Sequence, residues 1–580
     1  MVFDILQAID SHGGRLDNVV AEVAYPGSSE EDIAIVFATR FAAAFGRLMA
    51  EPGLEFTADS FERLLAQHRW IDLIFSLSGY RNADSFISLI ANDLGEGKLS
   101  FGGGNLLRLL AMLTMNSVIN VDFDLFWGAS RVASTVAFLN YISSRYVFSP
   151  RAFEFRERLL EWIPSRLAQV KLSTLMLARL PEVYMHCSYA FTARKHEIKR
   201  PLMEQMRRAC LEAGVVESPA PLPQKRTERV TVVVIGEQLT PGHAVFRSHS
   251  RAVQSLRGRF NVVGVVYPDP AGTAVAEFFD ESIAIPTGDF LGTVRALAAE
   301  ITAREPALIL YLGIGMVPVV LALASLRLAP IQCASFGHTA TSMSPMIDYF
   351  ALPEDFVASP ECFSEKLLML PKSAMPFASR THTLGLRRSG NGPVRVAIVA
   401  STMKLNPVLF DAIARIATGA KTQAEFYFFP LAATGLPYFE LLRIVRTKIP
   451  RATVYPQSAH ERYIERLSQC HFFLSPFPYG NMNGVIEAFE LGMPGICLDG
   501  AEAHGHADAA LFARIGLPDE LVAKSLDEYV AAAIRMIDDT TWRLRCRAAV
   551  RTANLDAAFF RGDTALFRSA IEDLIWPPAS

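Results

Sequence analysis

Residues 475–494, SPFPYGNMNGVIEAFELGMP, read as an apolar strand, an Asn/Gly loop and a short helix. Backbone N–H groups and the positive end of the dipole at such a helix start favour phosphate. Strand 471–475 (HFFLS) delivers the loop, Asn481 and Asn483 can each cap a helix start, and Gly484 lets backbone approach a ligand closely. A helix is predicted over 484–492, ended by Gly492 and Pro494, with a second apolar strand (GICLD, 495–499) behind it. Glu487, one turn beyond Asn483, points along the same face and can accept both hydroxyls of a ribose, or simply favour the helix dipole. A neighbouring strand, 394–400, ends in STMKLNP (401–407), which presents Ser401, Thr402 and Lys404. A lysine there can neutralise a diphosphate, while Asn406-Pro407 reads as the cap and first residue of a helix.

A second group of chemically capable residues follows other strand ends. VTVVVIG runs into EQLTPGHAVFRSHS, which carries Glu237, His243, Arg247 and His249, with His243 and Arg247 four apart on one helical face. IQCASF runs into GHTATSM (337–343), which carries His338 and Thr339. Two histidines from separate strand ends can bind an anionic leaving group or handle a proton. Three other signals are weaker. Asp122-Phe123-Asp124 has the D-x-D form of metal-dependent sugar transferases but lies among helices in a Phe/Leu-rich turn. GIG (313–315) is too short for a dinucleotide fingerprint. His504 and His506 have no cysteine or third histidine beside them in the sequence and read as a solvated loop touching the cleft.

The elements that must position these residues divide the 580-residue chain, which is too long for one core. Residues 1 to about 215 show helix-period apolar patterns throughout. VVESPAPLPQKRTER (215–229) reads as a linker. Strands and helices then alternate, as in a doubly wound parallel sheet. HTLGLRRSGNGP (382–393) interrupts the alternation, and a second series begins at VRVAIVA (394–400). The predicted units are an all-α domain over 1–225, a Rossmann-like lobe over 226–390 and another over 391–580. The cleft at the carboxyl ends of their strands is the expected site.

A net charge of −3 gives no basis for a nucleic-acid or anionic-membrane surface. The seven cysteines lie at neither metal nor redox spacing and read as reduced thiols of a cytosolic protein. MVFDILQAIDSHGG lacks the basic start and apolar block of a secretory signal, so a cytoplasmic location is expected. The uncharged run 307–326 is long enough to span a bilayer, but Gly313, Gly315 and Pro318 split it into a buried strand and a buried helix.

Read together, strand 394–400, TMKLNP (402–407), SPFPYGNMNG (475–484) and GHTATSMSPMIDY (337–349) resemble the bacterial cytoplasmic protein glycosyltransferases that modify adhesins. That group shares a glycosyltransferase family with the eukaryotic O-GlcNAc transferase, and the similarity runs from about 230 to 560. The resemblance implies a GT-B fold and an inverting, metal-independent transfer from a UDP-sugar to a polypeptide, usually glucose onto asparagine in Asn-X-Ser/Thr. It implies no cofactor, a secreted adhesin as acceptor, and acceptor recognition by the helical domain. It also implies Lys404 on the diphosphate, Asn483 on phosphate, Glu487 in place of a ribose-binding aspartate, and His243 and His338 on the sugar side. The chain departs from the pattern at LAATG (431–435), where a polar glutamine is usual, and at Gln457, where a uridine-side histidine is usual. A UDP-sugar-binding adaptor, an O-linked transferase and a sugar-nucleotide epimerase are alternatives on the same architecture.

Overall fold

The computed structural model describes residues 2–16, 28–93, 99–267, 276–286, 288–379 and 392–578. Up to Glu212 the described chain is helical apart from a two-stranded pairing of Asn92–Asp93 with Leu99–Ser100. Helix Glu30–Ala50 starts at a capping box between Ser29 and Asp32 and buries Phe37, Phe41, Phe45 and Met49 at four-residue spacing. It is the one described helix long and apolar enough to cross a membrane, yet this inward stripe and its acidic first turn make it a core helix. Residues 215–230 lack regular structure, as expected of a linker.

The first lobe is a seven-stranded, fully parallel sheet of β1 (Thr231–Gly236), β2 (Asn261–Val266), β3 (Glu281–Ala284), β4 (Leu308–Tyr311), β5 (Ile331–Ser335), β6 (Tyr349–Pro353) and β7 (Lys366–Leu370). Its order is β3-β2-β1-β4-β5-β6-β7. The second lobe contains β8 (Val394–Ser401), β9 (Ala424–Leu431), β10 (Ala452–Val454), β11 (Phe472–Leu474), β12 (Gly495–Leu498) and β13 (Val522–Ala523), ordered β10-β9-β8-β11-β12-β13 and again parallel. In both lobes the first and fourth strands are neighbours, so the order reverses between them. The loops leaving that pair open the crevice where such sheets bind ligands. In the second lobe those loops are 401–406 and 475–481, the two stretches singled out by their residue types.

The charge-free run divides as expected, into β4 and helix Pro318–Ala324. Other expectations need correction. Strands β6 and β7 were not anticipated; β7 is an edge strand that buries only Leu370, so its sequence shows no inward alternation. AVAEFFD contributes only a 3-10 turn, Ala276–Phe278, and 274–275 lie outside the described residues, as do 382–391 of the inter-lobe break. The third unit does not run as one lobe to residue 580. Helix Thr564–Ile575 crosses back onto the first lobe, where Ser255 Oγ donates to the Thr564 carbonyl (3.0 Å) and Arg259 pairs with Glu572 (2.8 Å).

The helical region touches both lobes. Tyr184 Oη donates to the Ser342 carbonyl (2.7 Å) and Lys199 Nζ to that of Thr341 (2.8 Å) in the first lobe. In the second lobe, the N–H of Leu436 bonds the Gly14 carbonyl (3.0 Å).

Candidate functional site

Strand β8 hands Ser401 to a 3-10 turn, Thr402–Lys404, and Asn406 then caps helix Pro407–Gly419 through the Leu409 N–H (3.0 Å). The Asn406 amide also donates to the Phe477 carbonyl (2.7 Å), which fixes one loop against the other. Across this junction Lys404 Nζ donates to the Gly480 carbonyl (2.6 Å) and to Asn481 Oδ1 (3.2 Å), and lies 5.2 Å from the centre of the Tyr479 ring. Burial pulls its pKa down to about 8, opposed by the nearby charge of Asp508. Thr402 Oγ1 and Asn483 Oδ1 are buried and have no hydrogen-bond partner, which marks both loops as places where a ligand's polar atoms would be satisfied.

The helix expected at 484 begins two residues earlier, as Met482–Glu490. Asn481 occupies its cap position, but the side chain makes no capping bond and receives Lys404 instead. Asn483 is inside the first turn and is no cap either. Asp508 supplies the cap. Its carboxylate accepts the N–H of Asn481 (2.8 Å), the N–H of Met482 and the hydroxyl of Ser475. Burial raises the Asp508 pKa, and those hydrogen bonds oppose the rise. Gly484 earns its place by closeness, since a Cβ there would meet the Asn481 amide nitrogen at 2.0 Å. Glu487 is 8% exposed and its Oε1 contacts His460 Nε2 (3.2 Å) and Arg247 Nη1 (3.4 Å). Gln457 folds back on the LAATG loop, accepting the Ala432 N–H (2.9 Å) and donating its own N–H to the Ala433 carbonyl (3.3 Å). That pair holds Ala432 at φ 66°, and Ala433 is fully buried.

In the first lobe, His243 caps helix Ala244–Leu256, its Nδ1 accepting the Val245 N–H (3.2 Å). With Nδ1 engaged as acceptor, the neutral ring carries its proton on Nε2. In that tautomer His243 can donate from Nε2, which fits binding an anionic leaving group, one of the two roles expected of it beside handling a proton. His338 is 4% exposed, and its Nε2 is paired with Ser188 Oγ of the helical region (3.0 Å). Burial, with Lys199 and neighbouring histidines adding to it, holds its pKa well below the usual range, which keeps the ring neutral. Thr339 donates its N–H to Tyr479 Oη (3.2 Å), and the His338 ring stacks on Tyr479 with centroids 5.8 Å apart. Tyr479 thus joins His338 to Lys404. Glu237 and His249 lie outside this group. Glu237 Oε1 accepts three N–H groups, from Gly315, Met316 and Val317, while burial pushes its pKa up to about 8. His249 is buried against Ser335 Oγ (2.9 Å) and Phe336.

The family model described as HMW1C N-terminal matches residues 1–119, and that described as HMW1 domain 2 matches 124–210. A UDP-glucose:protein N-beta-glucosyltransferase of Actinobacillus pleuropneumoniae serotype 5b is 32% identical over 577 residues, covering 96% of this chain and 92% of the relative. The chain belongs to this HMW1C family of protein glycosyltransferases. A probable UDP-N-acetylglucosamine–peptide N-acetylglucosaminyltransferase SPINDLY of Solanum lycopersicum is 24% identical across 39% of the chain and 25% of its own length. A solved variant of Thermobaculum terrenum O-GlcNAc transferase superposes with a TM-score of 0.59 at 15% identity, covering 94% of this chain and 97% of that one, which shows the shared two-lobed GT-B fold.

Within this HMW1C-family site the structure adds residues that sequence reasoning missed. Asp508 lies four residues after His504 on helix Ala503–Arg514, a shared face visible in the spacing. His504 itself is buried and stacks on Tyr479 at 4.6 Å, so the solvated loop expected at 504–506 is a helix instead. The third histidine missing from the sequence neighbourhood arrives from the helical region: His196, Glu502 and His504 place ligand atoms within 4.8 Å of one another. Lys195 Nζ already occupies the Glu502 carboxylate, and His196 Nε2 shares it at 2.7 Å, so the cluster is an ion-pair junction between domains. Asp122 caps helix Phe123–Ala129 and Asp124 pairs with Arg166 (2.9 Å), so the D-x-D match is a helix start.

Proposed function

We propose that this protein transfers glucose from UDP-glucose to the asparagine side chain of Asn-X-Ser/Thr in a polypeptide, with inversion at the anomeric carbon and without a metal. The observation that carries the donor half is the crevice between β8 and β11, where Lys404 reaches from one strand-end loop to the Gly480 carbonyl of the other, and Thr402 Oγ1 and Asn483 Oδ1, one on each side, are left unpartnered. As the anomeric C–O bond breaks, charge grows on the departing diphosphate; Lys404 lies where it can stabilise that charge, whereas the Asn481 and Met482 N–H groups at the helix start are held by Asp508. Glu487 is the ribose ligand in this reading, and Ser401, Gln457 and Asn481 shape the loops around the nucleotide.

The acceptor half rests on the relatives, which are UDP-glucose:protein N-beta-glucosyltransferases. His243 Nδ1 is engaged by the Val245 N–H and His338 Nε2 by Ser188, so the acceptor's proton is assigned to neither. An amide nitrogen becomes acidic as its bond to the anomeric carbon forms, so its proton can pass to the departing diphosphate. His243, donating from Nε2, is then a hydrogen-bond donor to the sugar or the leaving group. The family assignment adds a polypeptide acceptor, and the seven unbridged thiols fit a reducing cytoplasm, where a secreted adhesin would be met before export.

The test incubates purified protein with UDP-glucose, UDP-galactose and UDP-N-acetylglucosamine, each with an Asn-X-Thr peptide and its Gln-X-Thr counterpart, with and without EDTA. Mass spectrometry is expected to show one hexose, from UDP-glucose, on asparagine alone, undiminished by EDTA. The anomeric configuration, read by NMR of the product, is expected to be inverted. UDP binding without transfer to any peptide would identify a nucleotide-sugar-binding adaptor instead.

A further inference from the structure

Arg247 sits one turn after His243 on the first-lobe helix Ala244–Leu256 and is only 3% exposed. Its guanidinium crosses to the second lobe. Nη2 pairs with Glu490 (2.8 Å), and Nη1 reaches the Asn483 carbonyl (3.3 Å) and Glu487 (3.4 Å). Nε donates to the carbonyl of Ala378, whose N–H returns a bond to the Arg247 carbonyl (3.2 and 2.7 Å). One side chain therefore joins the second-lobe helix Met482–Glu490 to the segment leaving the first lobe, whose Ala378 also bonds the Arg247 main chain.

Glu487 and Glu490 stand three residues apart on the same helical face, so their charges repel and both are mostly buried. Burial also raises the Glu490 pKa, with Arg247 opposing the rise. A planar fork with several fixed donors answers two carboxylates and a carbonyl at once, which a lysine cannot do. Glu487, the ribose ligand of the reading above, keeps a separate contact to His460 Nε2 (3.2 Å), so the fork's distinct role is to tie the first lobe to this helix.

We propose that Arg247 is a positioning residue that clamps the first lobe to the helix carrying Glu487 and so sets the distance between His243 and the phosphate-holding loop. The inference rests on the proposed UDP-glucose donor. The spacing of the two lobes then depends on Arg247, and its loss acts on turnover more than on nucleotide affinity.

The test compares wild type, Arg247→Lys and Glu490→Gln by UDP titration calorimetry, steady-state transfer to an Asn-X-Thr peptide, and thermal melting. With Arg247→Lys, UDP affinity is expected to stay within about threefold, while kcat falls about tenfold or more, the scale of a misplaced reacting group. Glu490→Gln keeps the shape and removes one charge partner, and the same split is expected at a smaller size. An unchanged kcat in both variants overturns the proposal, as does a kcat loss matched by an equal loss of UDP affinity. If Arg247→Lys does not fold, Glu490→Gln decides alone by the same split. Wild type that neither binds UDP nor transfers sugar would overturn the donor reading and leave the clamp geometry without that role, a result separable from any variant effect.

Discussion

Lys404 holds its proton loosely before donor arrives. Burial brings its pKa to about 8 from 10.5, so the cationic form is lost as pH rises through that value. The charge that stabilises departing diphosphate is the cation, so kcat/KM, which reports the free enzyme, is expected to fall above about pH 8. Bound diphosphate raises the lysine pKa, and the corresponding fall in kcat should lie at higher pH. Pre-steady-state and steady-state rates across pH 6.5 to 10, as approximate limits within the ordinary range for lysine titration, check the separation. A kcat/KM plateau extending well past pH 9, about one unit above that value, would show that Lys404 is not the group being read. Lys404→Ala removes the charge altogether and is expected to cost about 10²–10³ in kcat, the scale of one lost charge-stabilising donor. The Lys404→Ala melting temperature should hold, because water entering the space left by the side chain can take up its two hydrogen bonds, to the Gly480 carbonyl and Asn481 Oδ1.

The second-lobe loops show what a sequence can and cannot convey about an element. STMKLNP and SPFPYGNMNG were legible because strand, loop and helix start are written in adjacent residues. The start of the helix was misplaced by two residues because its cap, Asp508, arrives from 27 positions away. Tyr479 as the link between Lys404 and His338, and Arg247 as the partner of Glu490, depend on contacts spanning both lobes, which no local pattern encodes. Gln457 is a similar case: in the sequence it stands where a nucleoside-side histidine is usual, whereas in the fold it holds the Ala432 N–H and a positive φ. Gln457→Ala loosens that loop by one hydrogen bond, about 1 kcal/mol, or about fivefold. A loop that only shapes the nucleotide pocket affects ground and transition states alike, so KM for UDP-glucose is expected to rise about fivefold with kcat unchanged. Initial-rate kinetics at saturating peptide distinguish this from a kcat effect, which would place Gln457 at the reacting centre.

At the scale of the whole molecule, three units converge on Tyr479. The helical region contributes Tyr189, at 4.8 Å between ring centres, and Ser188 on His338; the first lobe contributes His338 and Thr339; the second contributes Lys404 and His504. The helical region is thus part of the site's wall rather than a tethered accessory. A buried charged link from it to the second lobe is Lys195, 4% exposed, on Glu502, with His196 sharing the same carboxylate. Burial disfavours the Glu502 charge, but hydrogen bonds from His196 and His504 and the charge of Lys195 hold its pKa well below the usual range. Glu502→Gln strands the Lys195 ammonium among buried groups. Breaking a buried pair costs about 3–5 kcal/mol, and about 2 kcal/mol is the better figure because Glu502 is a quarter exposed. The single variant should therefore melt lower, with faster hydrogen exchange in 186–199, while UDP still binds the second lobe. Lys195→Met combined with Glu502→Gln removes the stranded charge and should recover most of the lost melting temperature, since an apolar pair can replace a buried ion pair at little cost. A double variant no more stable than Glu502→Gln alone would mean that the stranded charge is not what lowers stability, and that the loss lies in the hydrogen bonds of His196 and His504.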